Sequence, residues 1–332
     1  MRARALSAEV DAGSTKKSAA NQRPRDVSRP NVVGHSSRRA VVGLAACLLV
    51  LACLPARAEN KMPAQPRVAA LDWSAVELLL GLGIVPVAVT QPENYNRTVV
   101  APALPEGVVD LGLVVEPNLE VLASLKPDLI LANPIQVATQ GSFLSRIAPT
   151  EAVSIANAGG DPYERAKAET MRIAVRLGRV EQAKALEART EAILTEAAAS
   201  ACPAERHPTY LVWIVDHRNI VVYGRTSLFQ TVLDRLRIAN AWTGASNASG
   251  FTAVGIEQLA TGPADARIVH IGPIQSDAAR ALAGSRLWQT LPAVREHHVD
   301  VVAPVWFYGG LPAIARFAEL MTGLAKRDCP RG

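Results

Sequence analysis

Aromatic side chains are scarce in this chain, five each of Trp, Tyr and Phe among 332 residues, so their positions carry information. Trp73 directly follows the apolar run Arg67–Leu71, and Trp306-Phe307-Tyr308-Gly309 follows Val299–Val302 in the same way. If both runs are strands of α/β units, these rings stand at strand carboxyl ends, where such sheets bind ligands. Aromatics with few charges beside them suit a bulky, partly apolar ligand held by stacking and by the polar tips of Tyr and Trp. Trp288, between two helical stretches, and Trp213, inside a strand, read as core packing. Signatures of catalysis are missing: there is no P-loop, G-x-G-x-x-G, H-E-x-x-H or G-x-S-x-G. His35 falls in the leader, His297-His298 abut a strand start, and His270 sits inside an apolar strand, where a satisfied core imidazole is expected. The sequence predicts no metal site built from protein ligands.

The elements that must position these rings follow from periodicity. Leu104–Asn133 reads as strand, loop, short helix and buried strand. Pro117 suits a first helical turn, where its missing N–H has no intrahelical partner. Leu119, Leu122 and Leu125 repeat at helical spacing, and Leu129–Ala132 has the continuous apolarity of a strand covered on both faces. Val114 and Asn133 lie at two strand ends. Upstream, Arg67–Leu71 and Val85–Val89 read as strands around a helix Ser74–Leu82, with Ser74 as N-cap and Gly83 as stop. A short helix near Phe143–Ile147 and a strand near Ala152–Ile155 complete a small α/β lobe. Pro162–Ser200 has no interior proline and predicts one helix of over 30 residues, long enough to join two lobes. Strands at Tyr210–Val215, Ile220–Tyr223, Arg267–Ile271 and Val299–Val302 alternate with helices at Ser227–Leu236, Asp277–Leu282, Leu287–Thr290 and Leu311–Leu324, a second α/β lobe. The expected division is 1–58 leader, 59–160 first lobe, 161–201 connecting helix and 202–332 second lobe.

The net charge of +5 belongs to the leader. Residues 1–58 carry +7 and the remainder −2, with no basic stripe or aromatic-interleaved Lys/Arg run of the kind that grips nucleic acid. Ser37-Arg38-Arg39 precedes the apolar run Ala40–Leu54, and Ala56-Arg57-Ala58 is a small-x-small cleavage site, the pattern of an export signal of twin-arginine type. A second reading is open: Val50-Leu51-Ala52-Cys53 resembles a lipoprotein box that would leave a lipid on Cys53. Cys53 also fits as a small apolar residue of the signal core. Residues 1–36 are polar and aperiodic, an extended n-region or the product of an early start codon.

From about Arg67 to Leu324 the chain resembles periplasmic binding proteins for ferric siderophores, most closely the ferric-hydroxamate (ferrichrome-type) members. The matching blocks are Val76-Glu77-Leu78-Leu79-Leu80 with Leu82-Gly83-Ile84-Val85-Pro86, Asn94-Tyr95, Glu116-Pro117-Asn118-Leu119-Glu120, Lys126-Pro127 and Arg146-Ile147-Ala148-Pro149. The second lobe adds Ser227-Leu228-Phe229-Gln230, Asn240-Ala241-Trp242, Thr252-Ala253-Val254, Leu287-Trp288-Gln289 and Pro304-Val305-Trp306-Phe307-Tyr308-Gly309. The resemblance implies two α/β lobes joined by one long helix, with only small closure on binding. It implies a non-enzymatic, monomeric periplasmic protein without an intrinsic cofactor. Such a protein delivers a ferric siderophore to an inner-membrane ABC permease and its ATPase. Another chelate on the same fold (a carboxylate or mixed siderophore, haem or a corrinoid) and an exported siderophore-processing enzyme are the alternatives.

Carried over by position, Trp73, Trp242, Trp306, Phe307 and Tyr308 match cleft aromatics and Ile214 an aliphatic wall. The family arginine two residues before Glu116-Pro117 is Val114 here. The family tyrosine falls in Asn133–Thr139, where Gln136 is the nearest polar residue, and two cleft tryptophans become Thr98 and Ser249. An arginine gives ligand oxygens charge-assisted bonds that valine cannot. Arg97 either restores that charge from another direction or is a solvated loop residue. Glu77 and Asp234 fit the acidic positions with which related proteins meet permease arginines. In a fold of this kind Cys202 and Cys329 fall at the distal end of the second lobe, so a disulfide is the expectation in an oxidising compartment, two separate thiols the alternative.

Overall fold

The computed structural model describes residues 65–155, 160–200 and 207–328. The leader with Cys53, and both expected disulfide partners, Cys202 and Cys329, lie outside them.

The first sheet is built from β1 (Val68–Ala70), α1 (Trp73–Gly81), β2 (Ala88–Val89), α2 (Pro92–Thr98), β3 (Val109–Asp110), α3 (Leu119–Ser124), β4 (Leu129–Ala132), α4 (Pro134–Leu144) and β5 (Thr150–Ala152). Its strands run parallel in the order β3-β2-β1-β4-β5. Chain order reverses between β1 and β4, which places a topological switch point there. Both central strands are buried along their whole length. Val68, Ala70, Leu129 and Leu131 face one apolar cluster, and Ala69, Ile130 and Ala132 face another with Leu122 and Leu144. Covering on both faces is the reason these strands lack apolar–polar alternation.

Local chemistry sets the helix ends. Asp72, not Ser74, caps α1 by accepting the Ser74 N–H at 2.9 Å. Asn118 caps α3 at Val121 N, 3.0 Å. Asn133 and Gln136 form a capping box at the start of α4, so this helix begins at Pro134 rather than near Phe143. The helix α2 escapes sequence pattern because Tyr95 is its only buried residue.

The stretch Pro162–Ser200 is two helices rather than one: α5 (Pro162–Leu177) and α6 (Val180–Ser200). Gly178 at φ +66° is the break, with Arg179 N donating back to Ala174 O at 2.7 Å. A left-handed glycine with that back-bond ends a helix without any proline. Tyr163 Oη of α5 donates to Glu191 Oε2 of α6 at 2.9 Å.

The second sheet comprises β6 (Thr209–Ile214), β7 (Asn219–Tyr223), α7 (Gln230–Leu236), β8 (Phe251–Gly255), β9 (Arg267–Ile271), α8 (Ser276–Ala283), α9 (Arg286–Thr290), α10 (Pro292–Arg295), β10 (Val299–Val302) and α11 (Leu311–Asp328). The order is β10-β9-β6-β7-β8. The strands β10, β9 and β6 are parallel, and β7 and β8 join antiparallel. The edge strand β8 is only half-buried and carries little apolar pattern, which hides it in the sequence. Arg235 of α7 pairs with Glu191 of α6 through two bonds of 2.5 and 3.0 Å, fixing this lobe to the connector. Leu311, Ile314, Phe317 and Met321 recur along one face of α11 and share a single core cluster with Leu79 of α1, Leu194 of α6 and both sheets. One apolar core therefore runs through both lobes.

Candidate functional site

Strand carboxyl ends from both sheets meet at the loop 304–310, between β10 and α11. Trp306, Phe307 and Tyr308 on that loop form a ridge, with ring centroids 5.0 Å apart for Trp306–Phe307 and 4.2 Å for Phe307–Tyr308. Trp73, at the end of β1, packs on Trp306 at 5.0 Å, and its Nε1–H donates to Thr90 O at 3.1 Å beyond β2. Phe251 of β8 and Tyr223 of β7 pack on Phe307 at 5.3 and 5.8 Å. The ridge is thus a bridge of rings from one sheet to the other, these contacts being tilted at 43–59° except for the edge-to-face contact of Phe251 on Phe307 at 83°.

A cavity of about 420 Å³ opens on one side of the ridge, walled by Trp306, Phe307, Trp213, Ile271, Pro273 and Arg97 among others. Arg97, exposed on α2, is the one charged residue in that wall among the described residues. Its guanidinium donates to Asn94 Oδ1 one turn earlier. Thr98 lies beside it in the wall. A second crevice of about 170 Å³ lies at the switch point of the first sheet, between Asp72, Asn133, Ile135, Ser154 and Tyr308. A mostly apolar, aromatic wall with one exposed cation suits a bulky ligand that stacks and carries acceptor oxygens.

The sequence-derived positions separate clearly. Arg97, Trp306, Phe307 and Tyr308 line these two spaces, and Trp73 stands behind Trp306. Ile214 is 1 % exposed in the second-lobe core, whereas its neighbour Trp213 is 44 % exposed and lines the cavity. The two expectations are reversed because strand period two puts Trp213 on the face of Leu211 and Ile214 on that of Val212. Trp242 lines neither space. It lies over Gly244 and packs against the second-lobe core.

Gln136 is also no ligand group. It is 5 % exposed, and its Nε2–H bonds go to Leu71 O at 3.1 Å and Val114 O at 2.7 Å while Oε1 accepts the Asn133 N–H. Every polar atom of the amide is spent on tying three cleft-side segments together. Glu77 is 1 % exposed beneath the ridge and cannot present a carboxylate on an outer face. Burial, partly offset by the Gly310 N–H, pushes its carboxyl up to about 8. Asp234 is exposed on α7, where Gln230 Nε2 donates to it at 2.7 Å.

His270 is a core histidine: it is fully buried, accepts the Ile214 N–H on Nδ1 at 3.1 Å, and is driven down to about 4 by burial. Among the described residues no group of three or more His, Cys, Asp or Glu is placed to hold a metal ion, and no helix is long and apolar enough to cross a membrane.

The model of the family described as "Periplasmic binding protein" matches residues 68–304. The chain belongs to that family. The iron(3+)-hydroxamate-binding protein FhuD of Escherichia coli strain K12 is 34% identical over 255 residues, covering 77% of this chain and 85% of the relative. A putative ABC transporter substrate-binding lipoprotein, YhfQ of Bacillus subtilis strain 168, is 28% identical over 265 residues, covering 75% of this chain and 80% of that one. Among solved structures, the siderophore-binding protein FhuD from Vibrio cholerae with Fe3+–Desferal bound superposes with a TM-score of 0.73 at 28% identity, covering 80% of this chain and all of that one. The superposition puts this chain's two sheets and helical connector in the same fold as that structure.

Proposed function

We propose that this protein binds a ferric siderophore of hydroxamate type in the ridge-walled cavity and hands it to an inner-membrane ABC permease. The ligand's own oxygens hold Fe(III), and the protein contributes stacking from Trp213, Trp306 and Phe307. Arg97 supplies the cation that Val114 does not, reaching the chelate from α2. The observation that carries this reading is the 420 Å³ cavity, mostly apolar and aromatic, with Arg97 as its charged residue and Thr98 and Gln275 as neutral polar ones among the described residues. The relative that binds iron(3+) hydroxamate and the solved relative holding Fe3+–Desferal support the ligand class. The protein acts as a binder rather than an enzyme, is exported through the twin-arginine-type leader, and offers Asp234 to the permease. Because the family arginine is Val114 and Gln136 is spent internally, a carboxylate or mixed siderophore, haem or a corrinoid is the competing cargo.

A panel of ferrichrome, ferrioxamine B, ferric citrate, haem and cobalamin, read by quenching of tryptophan fluorescence, tests the proposal. Saturable quenching by the two ferric hydroxamates at micromolar or lower concentration is expected. Quenching confined to citrate, haem or cobalamin overturns it.

A further inference from the structure

Two polar grips on the aromatic ridge come from one face of α1. Ser74 Oγ accepts the Trp306 Nε1–H at 3.3 Å. One turn later, Glu77 Oε2 accepts the Gly310 N–H at 2.7 Å, where the loop enters α11. The two bonds bracket Trp306-Phe307-Tyr308. A Cβ added at Gly309 would lie 2.4 Å from Glu77 Oε2, so the loop is closed down on the carboxyl with no room for a side chain. From the other side, Arg316 Nε donates to Pro304 O at 3.0 Å.

We infer that Glu77 is a positioning residue, a buried latch from the first lobe that sets where the ligand-facing rings of the loop 304–310 stand. The inference rests on the reading of those rings as the ligand wall.

The surroundings of Glu77 favour its neutral form. A buried carboxylate needs several donors or a cation, and Gly310 N–H is the one donor it has among the described residues. The titratable group facing it is Tyr95 of α2, itself kept protonated by burial and donating to Pro102 O at 2.9 Å. On the packed helices, Arg316 and Glu319 of α11 and Arg189 of α6 line a separate groove with Leu80 and Gly81. Among the described residues no cation pairs with Glu77, whose shift comes from burial first and the Gly310 bond second. Loss of the proton places an uncompensated charge under the loop and disfavours the latched arrangement.

Three forms of the full chain test this: wild type, Glu77→Gln and Glu77→Leu. Ferrichrome and ferrioxamine B affinities are measured from pH 6 to 9, with hydrogen exchange over residues 304–310 of the unliganded protein. Glu77→Gln keeps an acceptor for Gly310 and cannot ionise, so it should bind within about twofold of wild type at pH 7 and remain flat with pH. Wild type should lose about tenfold relative to it by pH 9, as the latched fraction falls. Glu77→Leu should bind about tenfold more weakly at every pH and exchange faster over 304–310.

Superimposable pH profiles for wild type and Glu77→Gln overturn the inference, as does a folded Glu77→Leu with wild-type affinity and protection. If neither chelate binds wild type, the functional proposal fails separately. Exchange over 304–310, compared between wild type and Glu77→Gln across the same pH range, then decides the latch.

Discussion

Arg97 carries the clearest expectation at the scale of single residues. It is exposed at the wall of the main cavity, and among the described residues its side-chain partner is the neutral amide of Asn94, so its charge is available to a ligand. A hydrogen bond to an ionised group contributes about 1.5–3 kcal/mol, so Arg97→Ala should weaken ferrichrome binding by about 10- to 100-fold. Arg97→Lys should restore part of that, since it keeps the charge but not the planar fork. Fluorescence titrations of the three proteins at two salt concentrations check both points. Equal affinities for wild type and Arg97→Ala would remove Arg97 from the site. The family resemblance points to its place in the wall, because Arg97 adjoins Thr98, which matches a cleft position, while a solvated loop residue is the alternative. The burial of Glu77 and the internal commitments of Gln136 could not be read so. A Glu in an apolar helix and a Gln three residues after an Asn look alike whether solvated or buried, and only the neighbours from distant segments distinguish them. A capping box was nevertheless visible in Asn133-Pro134-Ile135-Gln136, and it would have argued that Gln136 looks inward.

At the scale of elements, what could be read depended on how strongly one periodicity prevailed. Buried runs such as Leu129–Ala132 and the apolar face of α11 declare themselves. The half-buried β8 and the polar α2 do not, since tertiary partners rather than pattern hold them. In β6 the strand was evident but its facing was not, because apolar residues fill both faces and Trp213 shares its face with the fully buried Leu211. The connector shows the converse. Its composition is helical throughout, and a single residue, Gly178, divides it. Gly178 needs φ near +66°, which costs an L-residue about 1 kcal/mol, so Gly178→Ala should destabilise the protein by about that amount. Urea unfolding should show a lower midpoint with an unchanged slope. A gain in stability would mean that α5 and α6 fuse into one helix without strain.

At the scale of the whole molecule, one core shared by both sheets couples the latch to global stability. Phe317, Ile314 and Leu311 of α11 pack in the same cluster as Val76 and Leu78, which flank Glu77 in sequence. Loosening the α1–α11 contact is therefore felt by both lobes. The pH dependence has a definite sign. The Glu77 carboxyl has a folded value of about 8 against an ordinary value of 4.5, so between these limits the native protein holds a proton that the unfolded chain releases. Its contribution is fully present below about pH 4.5 and is lost as pH rises through 8. That trend is opposite to the usual carboxylate, which loses stability in acid. The slope is at most about 1.4 kcal/mol per pH unit for one proton. Glu77→Gln abolishes it, so the difference in unfolding free energy between the two proteins isolates this one group from every other titration. Urea unfolding of both at pH 5, 6, 7 and 8 should show wild type falling progressively relative to Glu77→Gln. A constant difference across that range would mean that the buried carboxyl is ionised throughout, with its charge met by a donor set larger than the single Gly310 N–H.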